Sequence, residues 1–329
     1  MLSRWVILVH GDSDGVCSGA LIYRYLSLKN NVVEIFFTHP AGLANDLAEF
    51  TSNGDNIFIA DIALSEHHLY DIEKILQERS RYGEIIYIDH HPEPLRLKPH
   101  ELPGIIVHDT CCSASELTYR FLEEKGLIQE YSRIALYGAI GDYLDETQWV
   151  KKTIDEWDKR SIYFEAGVLV QGLEGSRKMY DFKRRIIRLL ADNRLPSENS
   201  ELLLRALIQS HNDEELRIWV KKNKRIIGEI SYVADPPGSI GRAANYARVY
   251  GSCKVGLAYE TKGNMLIMSL RAIRGIDLNT ILRKITVLLG GTGGGHAFAA
   301  GARIPANRFN EFLELLNKYI NKNNGSGKT

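Results

Sequence analysis

The segment EIIYIDHHPEP (84–94) joins a run of apolar and β-branched residues to an aspartate and two adjacent histidines. Its apolar part, 84–89, is typical of a buried strand, and the polar residues come where that strand ends. Two imidazoles and a carboxylate at a strand end can bind a metal ion, or they can simply cap the strand. The surrounding sequence decides between these two interpretations.

Similar apolar runs recur through the first 145 residues, with helical patterns between them. The predicted strands are WVILV (5–9), VVEIFF (32–37), NIFIADI (56–62), EIIYID (84–89) and GIIVHD (104–109). The predicted helices are 18–29, 66–79 and 113–126, and the last opens with the capping-box spacing of Ser113 and Glu116. This alternation favours an α/β fold, with an open, mainly parallel sheet that carries helices on both faces.

The remaining sequence predicts a helical stretch and then a second, smaller α/β unit. The chain has 329 residues, enough for two domains or one large one. We predict an N-terminal domain over 1–145, a helical linker region over 146–224, a C-terminal α/β domain over 225–322 and a disordered tail over 323–329. The glycine-rich stretch 290–295 is interpreted as a loop within the C-terminal domain.

The charge balance limits how the chain can bind an anionic partner. Lysine plus arginine equals aspartate plus glutamate, 41 against 41, so there is no global attraction to nucleic acid or to a membrane surface. Any anionic substrate must therefore be held by local charge or by metal.

The cysteines and apolar segments indicate an intracellular protein. Four cysteines (Cys17, Cys111, Cys112 and Cys253) do not make a disulfide framework in a chain of this length, and no CxxC spacing indicates zinc. The N-terminal apolar run is too short for a signal peptide, and no segment approaches the roughly 18 apolar residues of a membrane span. We expect a cytoplasmic protein with no membrane association.

Acidic and imidazole side chains gather where the predicted strands end. Three of four polar segments directly follow a strand, and the fourth follows a helical run. In order, they contain His10, Asp12 and Asp14; Asp61; Asp89, His90 and His91; and Asp142. Ligands of open parallel sheets bind outside the carboxyl ends of the strands, so these side chains are expected to converge. In an extended turn alternate side chains point the same way, so the side chains of His10, Asp12 and Asp14 are expected to face one cavity.

This donor set suits a pair of divalent ions. It comprises four carboxylates and two imidazoles: His10, Asp12, Asp14, Asp61, His90 and Asp142. Hard oxygen donors with some nitrogen favour Mn²⁺, with Mg²⁺, Co²⁺ or Zn²⁺ as alternatives. A shared carboxylate would hold two ions about 3.5–4 Å apart, the separation used for displacement at phosphorus. Any one of these segments alone is more typical of a helix cap or of a solvated pair of histidines. Four segments with matching placement favour a metal centre.

Several other motifs are weak evidence for a function. GSGKT (325–329) imitates a phosphate loop but has lysine where the first glycine is needed, and no strand precedes it. His67, His68 and Asp71 are interpreted as a solvated helix face. The basic runs KRRIIR (183–188) and KKNKR (221–225) are also interpreted as solvated faces, with a nucleic-acid track as the alternative.

The polar motifs together resemble a known family. HGDSDG (10–15), IADIA (59–63), IDHHPEP (88–94) and GDYLD (141–145), in this order, resemble the four motifs of the DHH phosphoesterase superfamily. GGTGGGHAFAAG (290–301), preceded by SLRAIRG (269–275), resembles the C-terminal domain found with it in RecJ-type exonucleases, NrnA-like oligoribonucleases and cyclic-di-AMP phosphodiesterases. Ser13, where alanine is common in the family, is a mild departure that leaves the ligands unaffected.

The resemblance implies a role for each candidate residue. One Mn²⁺ would be held by His10, Asp12 and Asp61. The other would be held by Asp14, Asp61, His90 and Asp142, with Asp61 bridging. Asp89 would orient the metal-bound imidazole, and His91 would face the substrate phosphate. Substrate groups of the C-terminal domain would be Arg271 and His296, with Gly293, Gly294 and Gly295 allowing close backbone approach.

The implied activity is Mn²⁺-dependent hydrolysis of single-stranded DNA or RNA, or of short oligonucleotides, to mononucleotides by a two-metal mechanism. Cyclic dinucleotide hydrolysis, 3′-phosphoadenosine phosphate removal and pyrophosphate hydrolysis are alternatives within the enzyme class. A catalytically silent replication scaffold is an alternative of another class, which the complete ligand set disfavours. A replication or repair protein as partner, the digestion polarity, and the choice between monomer and homodimer are left open.

Overall fold

The computed structural model describes residues 3–322, so the predicted tail 323–329, with its GSGKT segment, lies outside the described residues. The chain divides into two compact units, Met1–Gln209 and Ser210–Thr329. We call them the first and second units. The domain boundaries predicted at 145 and 224 stay predictions, because compactness alone does not mark a functional domain.

The first unit is built on a five-stranded sheet in which every pair of neighbours is parallel, in the order β2-β1-β3-β4-β5. The strands are β1 (Arg4–Val9), β2 (Val32–Phe37), β3 (Asn56–Ala60), β4 (Ile85–Asp89) and β5 (Ile105–His108). The predicted open parallel sheet is confirmed, with strand bounds within about two residues of those expected.

The helices of this part of the chain are α1 (Ser13–Ser27), α2 (Leu43–Phe50), α3 (Leu69–Arg79), α4 (Ala114–Glu123), α5 (Ser132–Gly141), α6 (Gln148–Ile154), α7 (Lys159–Glu174), α8 (Tyr180–Ala191) and α9 (Ser200–Asn223). The division between the two units falls within α9. Helix α2 was not predicted. Helices α1 and α3 begin at residues other than those expected, and the start of α1 matters for the site.

Helices cover both faces of this sheet because alternate strand residues point to opposite faces. Val6 and Leu8 of β1 belong to a core cluster that includes residues of α2 and α3, such as Leu43 and Ile72. The alternate residues of β1, Trp5, Ile7 and Val9, belong to a second core cluster with residues of α1, α4 and α5. Helices α6, α7 and α8 contribute to that same second cluster, so the helical stretch after residue 145 extends the core.

The second unit contains a six-stranded mixed sheet in the order β10-β11-β9-β8-β7-β6. Its strands are β6 (Arg225–Ile227), β7 (Ile230–Ala234), β8 (Val255–Lys262), β9 (Met265–Ala272), β10 (Thr292–Gly295) and β11 (Ala299–Pro305). Strands β7 and β8 pair in parallel, and the other neighbours are antiparallel. Its helices are α10 (Ile240–Gly251), α11 (Leu278–Leu288) and α12 (Phe309–Lys322).

The expectation of a glycine-rich loop at 290–295 is wrong for most of that stretch. Thr292–Gly295 forms edge strand β10, in which Gly293 pairs with Ala302 and Gly294 with Gly301. Glycines carry no side chain to show strand alternation, so the pattern was invisible in the sequence. A Cβ on Gly293 would lie 2.9 Å from Cγ2 of Thr286 on α11, so glycine allows that helix to pack against the strand.

Other features bear on the composition-based expectations. All four cysteines are free; Cys111 is exposed and its neighbour Cys112 is buried. Among residues 3–322, no helix is long and apolar enough to cross a bilayer.

Candidate metal centre

Three adjacent strands bring the polar motifs to one edge of the first sheet. Strand β1 lies between β2 and β3, and β3 lies between β1 and β4. The chain leaves β1 at His10, β3 at Asp61 and β4 at His90. Since parallel strands end at the same edge, these residues from three distant parts of the sequence meet there.

The HGDSDG motif is a strand end followed at once by a helix. Asp12 caps the N-terminus of α1, with its Oδ1 accepting a hydrogen bond from the Gly15 amide at 3.1 Å. Asp14 therefore lies in the first helical turn, and the expected extended turn through all three ligand residues is wrong. His10 and Asp12 still face each other, with 2.7 Å between Nδ1 and Oδ2. A Cβ on Gly15 would lie 2.4 Å from the His10 carbonyl oxygen, so glycine permits this tight turn.

Asp14 is held by the start of another helix. Its two carboxylate oxygens accept hydrogen bonds from the backbone amides of Ala114 (2.8 Å) and Ser115 (3.0 Å), in the first turn of α4. The unsatisfied amides and the dipole at a helix N-terminus favour a negative charge. Helix α5 also approaches closely, since a Cβ on Gly138 would lie 2.7 Å from Oδ1 of Asp14. Asp14 is thus buried and fixed in orientation.

Asp61 occupies the centre of the group. Its backbone has a positive φ of 60°, an uncommon conformation that aspartate tolerates better than most residues, and its amide donates to the Ile88 carbonyl oxygen at 3.0 Å. Oδ1 lies 3.4 Å from Nε2 of His90, and Oδ2 lies 3.9 Å from Nδ1 of His10. Oδ2 is buried and accepts no hydrogen bond from the described residues. The two oxygens of one carboxylate therefore face two different imidazoles.

His90 is surrounded by carboxylates. Its Nε2 lies 3.4 Å from Oδ1 of Asp61, 3.6 Å from Oδ2 of Asp142 and 3.8 Å from Oδ2 of Asp14. Asp142 reaches this position because α5 ends there, with Asp142 as its C-terminal cap. Separations of this size are long for direct hydrogen bonds but suit donor atoms that share a cation.

Asp89 hydrogen-bonds to His91, the second histidine of the pair. Its Oδ1 accepts from Nδ1 of His91 at 2.8 Å, and its Oδ2 accepts from the His91 amide and from the Tyr87 hydroxyl. This contact orients His91, whereas the expected partner of Asp89 was His90. Burial lowers the pKa of the His91 imidazole, but the Asp89 carboxylate outweighs this and raises the pKa to about 9. His91 is thus held as a cation at neutral pH.

The cluster places many negative charges in a small buried volume. Burial and the carboxylates of Asp12 and Asp14 raise the pKa of Asp61 well above its usual value. Burial and the same two carboxylates also raise the pKa of Asp142, to about 8. These directions mean that the carboxylates resist full ionisation when no cation compensates them.

Two of the groups that the donor atoms form contain the predicted metal ligands. His10, Asp12 and Asp61 each offer a ligand atom within 4.8 Å of one another, as do Asp14, His90 and Asp142. Asp61 belongs to the first group and lies against His90 of the second. The oxygen-rich donors, the buried Oδ2 without a hydrogen bond and the resistance to ionisation all fit cation binding. The residues present therefore fit the metal pair that the motifs imply.

Comparison with known families agrees with this geometry. The sequence matches the family model described as DHH family, N-terminal domain, over residues 4–141 and the DHHA1 domain model over residues 230–322. The chain belongs to the DHH superfamily of metal-dependent phosphoesterases. No curated protein sequence matches it significantly.

Three solved structures show how far the DHH fold extends along the chain. RecJ from Thermus thermophilus, in complex with Mn²⁺, matches with a TM-score of 0.70 at 18% identity, covering 97% of this chain and 52% of its own. Exonuclease RecJ bound to manganese matches with a TM-score of 0.65 at 18% identity, and the match covers 96% of this chain and 89% of the RecJ chain. PggH of Vibrio cholerae, a pGpG-specific phosphodiesterase, matches with a TM-score of 0.60 at 14% identity, and the match covers 98% of this chain and 99% of the PggH chain. The chain thus spans about half the length of the first RecJ, and at these identities the likeness shows the fold.

The second unit of this DHH protein brings together its own predicted site residues. Arg271 lies on β9, where it pairs with Ala299 of β11, and the His296 amide donates to the Ala299 carbonyl oxygen at 2.9 Å. Nη1 of Arg271 donates to Oγ of Ser269 and to the Leu270 carbonyl oxygen, both at 2.9 Å. The Gly295 amide donates to Oδ1 of Asn279 at 3.2 Å. Arg271, His296 and the glycines Gly293, Gly294 and Gly295 therefore share one end of the second sheet.

The basic run 183–188 is not a simple solvated face. Lys183, Ile186 and Ile187 are buried on α8, while Arg185 and Arg188 are exposed. Nζ of Lys183 donates a hydrogen bond to the Gly11 carbonyl oxygen, inside the first DHH motif. The amphipathic spacing of the run could have indicated a buried position, but no local signal identified this partner, 172 residues away.

Most of the other discounted residues are exposed. Helix α3 begins at Leu69, so His67 and His68 precede it, and His67 and Asp71 are exposed, as expected for solvated positions. Lys221 and Lys222 on α9 are also exposed.

Proposed function

We propose that this DHH protein is a Mn²⁺-dependent phosphodiesterase that hydrolyses short single-stranded oligonucleotides stepwise to mononucleotides. One observation carries the proposal: Asp61 lies between two groups of ligand atoms, with Oδ1 toward His90 and Oδ2 toward His10. A carboxylate so placed is suited to bridging two ions, the arrangement used for in-line displacement at phosphorus.

Two sets of residues would hold the ions. His10, Asp12 and Asp61 would bind one, and Asp14, Asp61, His90 and Asp142 would bind the other. Mn²⁺ suits this mixture of oxygen and nitrogen donors, with Mg²⁺ or Co²⁺ as substitutes. When bound, such ions activate water and neutralise charge on the phosphate.

The remaining candidates would act on the substrate. His91, oriented by its hydrogen bond to Asp89, is suited to donating a hydrogen bond to a phosphate oxygen. Arg271 and His296 would supply further donors from the second unit. The backbone at Gly293, Gly294 and Gly295 would approach the nucleotide without a side chain in the way.

Two considerations support short substrates. The chain has no net charge, so a long polyanion gains little general attraction. The end-to-end match to PggH, which acts on a dinucleotide by its description, also supports placing short linear substrates first. Protein partners, oligomeric state and cytoplasmic location stay predictions.

The test is digestion of end-labelled DNA and RNA of graded lengths in Mn²⁺, with cyclic di-AMP alongside. We expect mononucleotide products from the short strands, and loss of that activity in Asp61→Asn. Asp71→Asn, the same change on an exposed helical position, is the matched control and should keep wild-type activity. Rapid cleavage of cyclic di-AMP with little cleavage of linear strands would instead assign a cyclic dinucleotide phosphodiesterase.

A further inference from the structure

Lys183 is a buried cation beside the first DHH motif. It is 5% exposed and lies in the first turns of α8, a helix that packs against α1. Its Nζ donates a hydrogen bond to the carbonyl oxygen of Gly11, which stands between His10 and Asp12. The lysine thus touches the backbone of the loop that presents two candidate metal ligands.

Burying an ammonium group is unfavourable unless it gains a specific interaction. The next two arginines of the same helix have carboxylate partners: Arg184 pairs with Asp181 and Arg185 with Glu201. In the described residues no ion pair links Nζ of Lys183 to a carboxylate. Burial lowers the pKa of Lys183, and the Gly11 carbonyl offsets part of this cost together with attraction from the Asp12 and Glu174 carboxylates.

The sequence of the loop is adapted to this contact. A Cβ on Gly11 would lie 3.3 Å from Nζ of Lys183, which is tighter than most contacts of a real Cβ. Glycine at position 11 therefore lets the ammonium reach the backbone. Two positions far apart in the sequence, Gly11 and Lys183, fit each other in the fold.

We propose that Lys183 is a positioning residue for the metal centre. By fixing the peptide between Gly11 and Asp12, it holds the His10 and Asp12 side chains toward one cation. Its positive charge also offsets part of the carboxylate repulsion. This inference rests on the proposed function, since it requires that His10 and Asp12 bind metal.

The experiment compares Lys183→Met with wild type, with Lys183→Arg and with Arg188→Met, a matched change on the exposed side of the same helix. Mn²⁺ binding to the metal-free protein is measured by calorimetry, the Tm by circular dichroism, and kcat and KM on a short oligonucleotide. We expect Lys183→Met to weaken Mn²⁺ binding about 10-fold or more, as changes behind metal ligands do. Lys183→Arg should recover part of that loss, and Arg188→Met should show none.

The separate readouts distinguish the outcomes. If wild type itself binds no Mn²⁺, the proposed function fails. If wild type binds Mn²⁺ and folded Lys183→Met binds it equally well, only the role of Lys183 fails. A higher KM with unchanged Mn²⁺ affinity would also overturn the positioning role. Should Lys183→Met not fold, Gly11→Ala decides the matter: its Cβ would lie 3.3 Å from Nζ, so Nζ must shift, and Mn²⁺ binding should weaken in the same direction.

Discussion

The two sheets carry their candidate site residues in different surroundings. In the first unit, Asp14, Asp61, Asp89 and His90 are at most 3% exposed. In the second unit, Arg271 and His296 are half-buried and keep contact with water. A buried carboxylate cluster opposes folding unless a cation compensates it, whereas hydrated donors do not. Neutralising Asp61 should therefore affect metal binding and stability in opposite directions, and changes in the second unit should affect substrate alone.

Asp61→Asn should have the largest effect because it removes the one carboxylate that faces both ligand groups. We expect the variant to hold at most one ion and to lose more than about a thousandfold in kcat. The Tm of the metal-free protein should rise by a few degrees, since repulsion among buried carboxylates is relieved. Metal content by mass spectrometry, kcat and thermal unfolding test this, with Asp71→Asn as control.

Either of two results would contradict that prediction. Near-normal turnover with two bound ions would remove Asp61 from the metal centre. A lower Tm in the metal-free variant would mean that the carboxylate stabilises the fold, and the contrast between the two units would lose its basis.

Arg271→Ala and His296→Ala should have the next largest effect, through substrate only. Each removes a proposed donor to a charged phosphate, and the loss of such a contact lowers kcat/KM by about 10- to 100-fold. Metal stoichiometry and Tm should stay at wild-type values. Arg274→Ala, an exposed arginine three residues along the same segment, is the control. Loss of metal in either test variant would mean that the second unit takes part in cation binding.

The metal-free protein should lose stability as pH rises. Burial and neighbouring charge raise the pKa of Asp142 from 3.8 to about 8, and the pKa of Asp61 is raised too. A raised folded-state pKa stabilises the protein below the unfolded value and ceases to do so as pH passes the folded value. His91 acts in the same direction, with its pKa raised from 6.5 to about 9.

Thermal unfolding of the metal-free protein between pH of about 4 and 8 tests this window. The Tm of the metal-free protein should fall as the pH rises through this range. Saturating Mn²⁺ should reverse the trend, because cations bind deprotonated ligands. A Tm that is independent of pH without metal would show that the carboxylates ionise without penalty.

Local patterns in the sequence predicted much of this molecule. Apolar runs and the residues after them are local features, and the parallel sheet then brings Asp61 and His90 to one edge. Long-range partners could not be predicted in this way. Asp14 is held by α4, 100 residues away, and the Gly11 carbonyl by Lys183 on α8. Strand β10 was missed because glycines show no alternation of apolar and polar side chains.

The smallest effect should be the dependence on substrate length and salt. Binding to the exposed cations Arg185, Arg188, Lys221 and Lys222 would take phosphates beyond the one being cleaved, so we expect them to help a long strand more than a short one. A chain with no net charge gives little further attraction. Close backbone approach such as that proposed at Gly293–Gly295 reads little base information, so base preference should be weak. We expect kcat/KM to be several-fold higher for a dinucleotide than for a long single strand. Salt should noticeably weaken the binding of the longer substrate only, since each additional phosphate contact adds to the salt dependence.

Measuring kcat/KM for a dinucleotide, a long single strand and a blunt duplex at two salt concentrations tests this. A preference for the duplex would show that the proposed short single-stranded substrate is wrong, even if the metal centre behaves as expected.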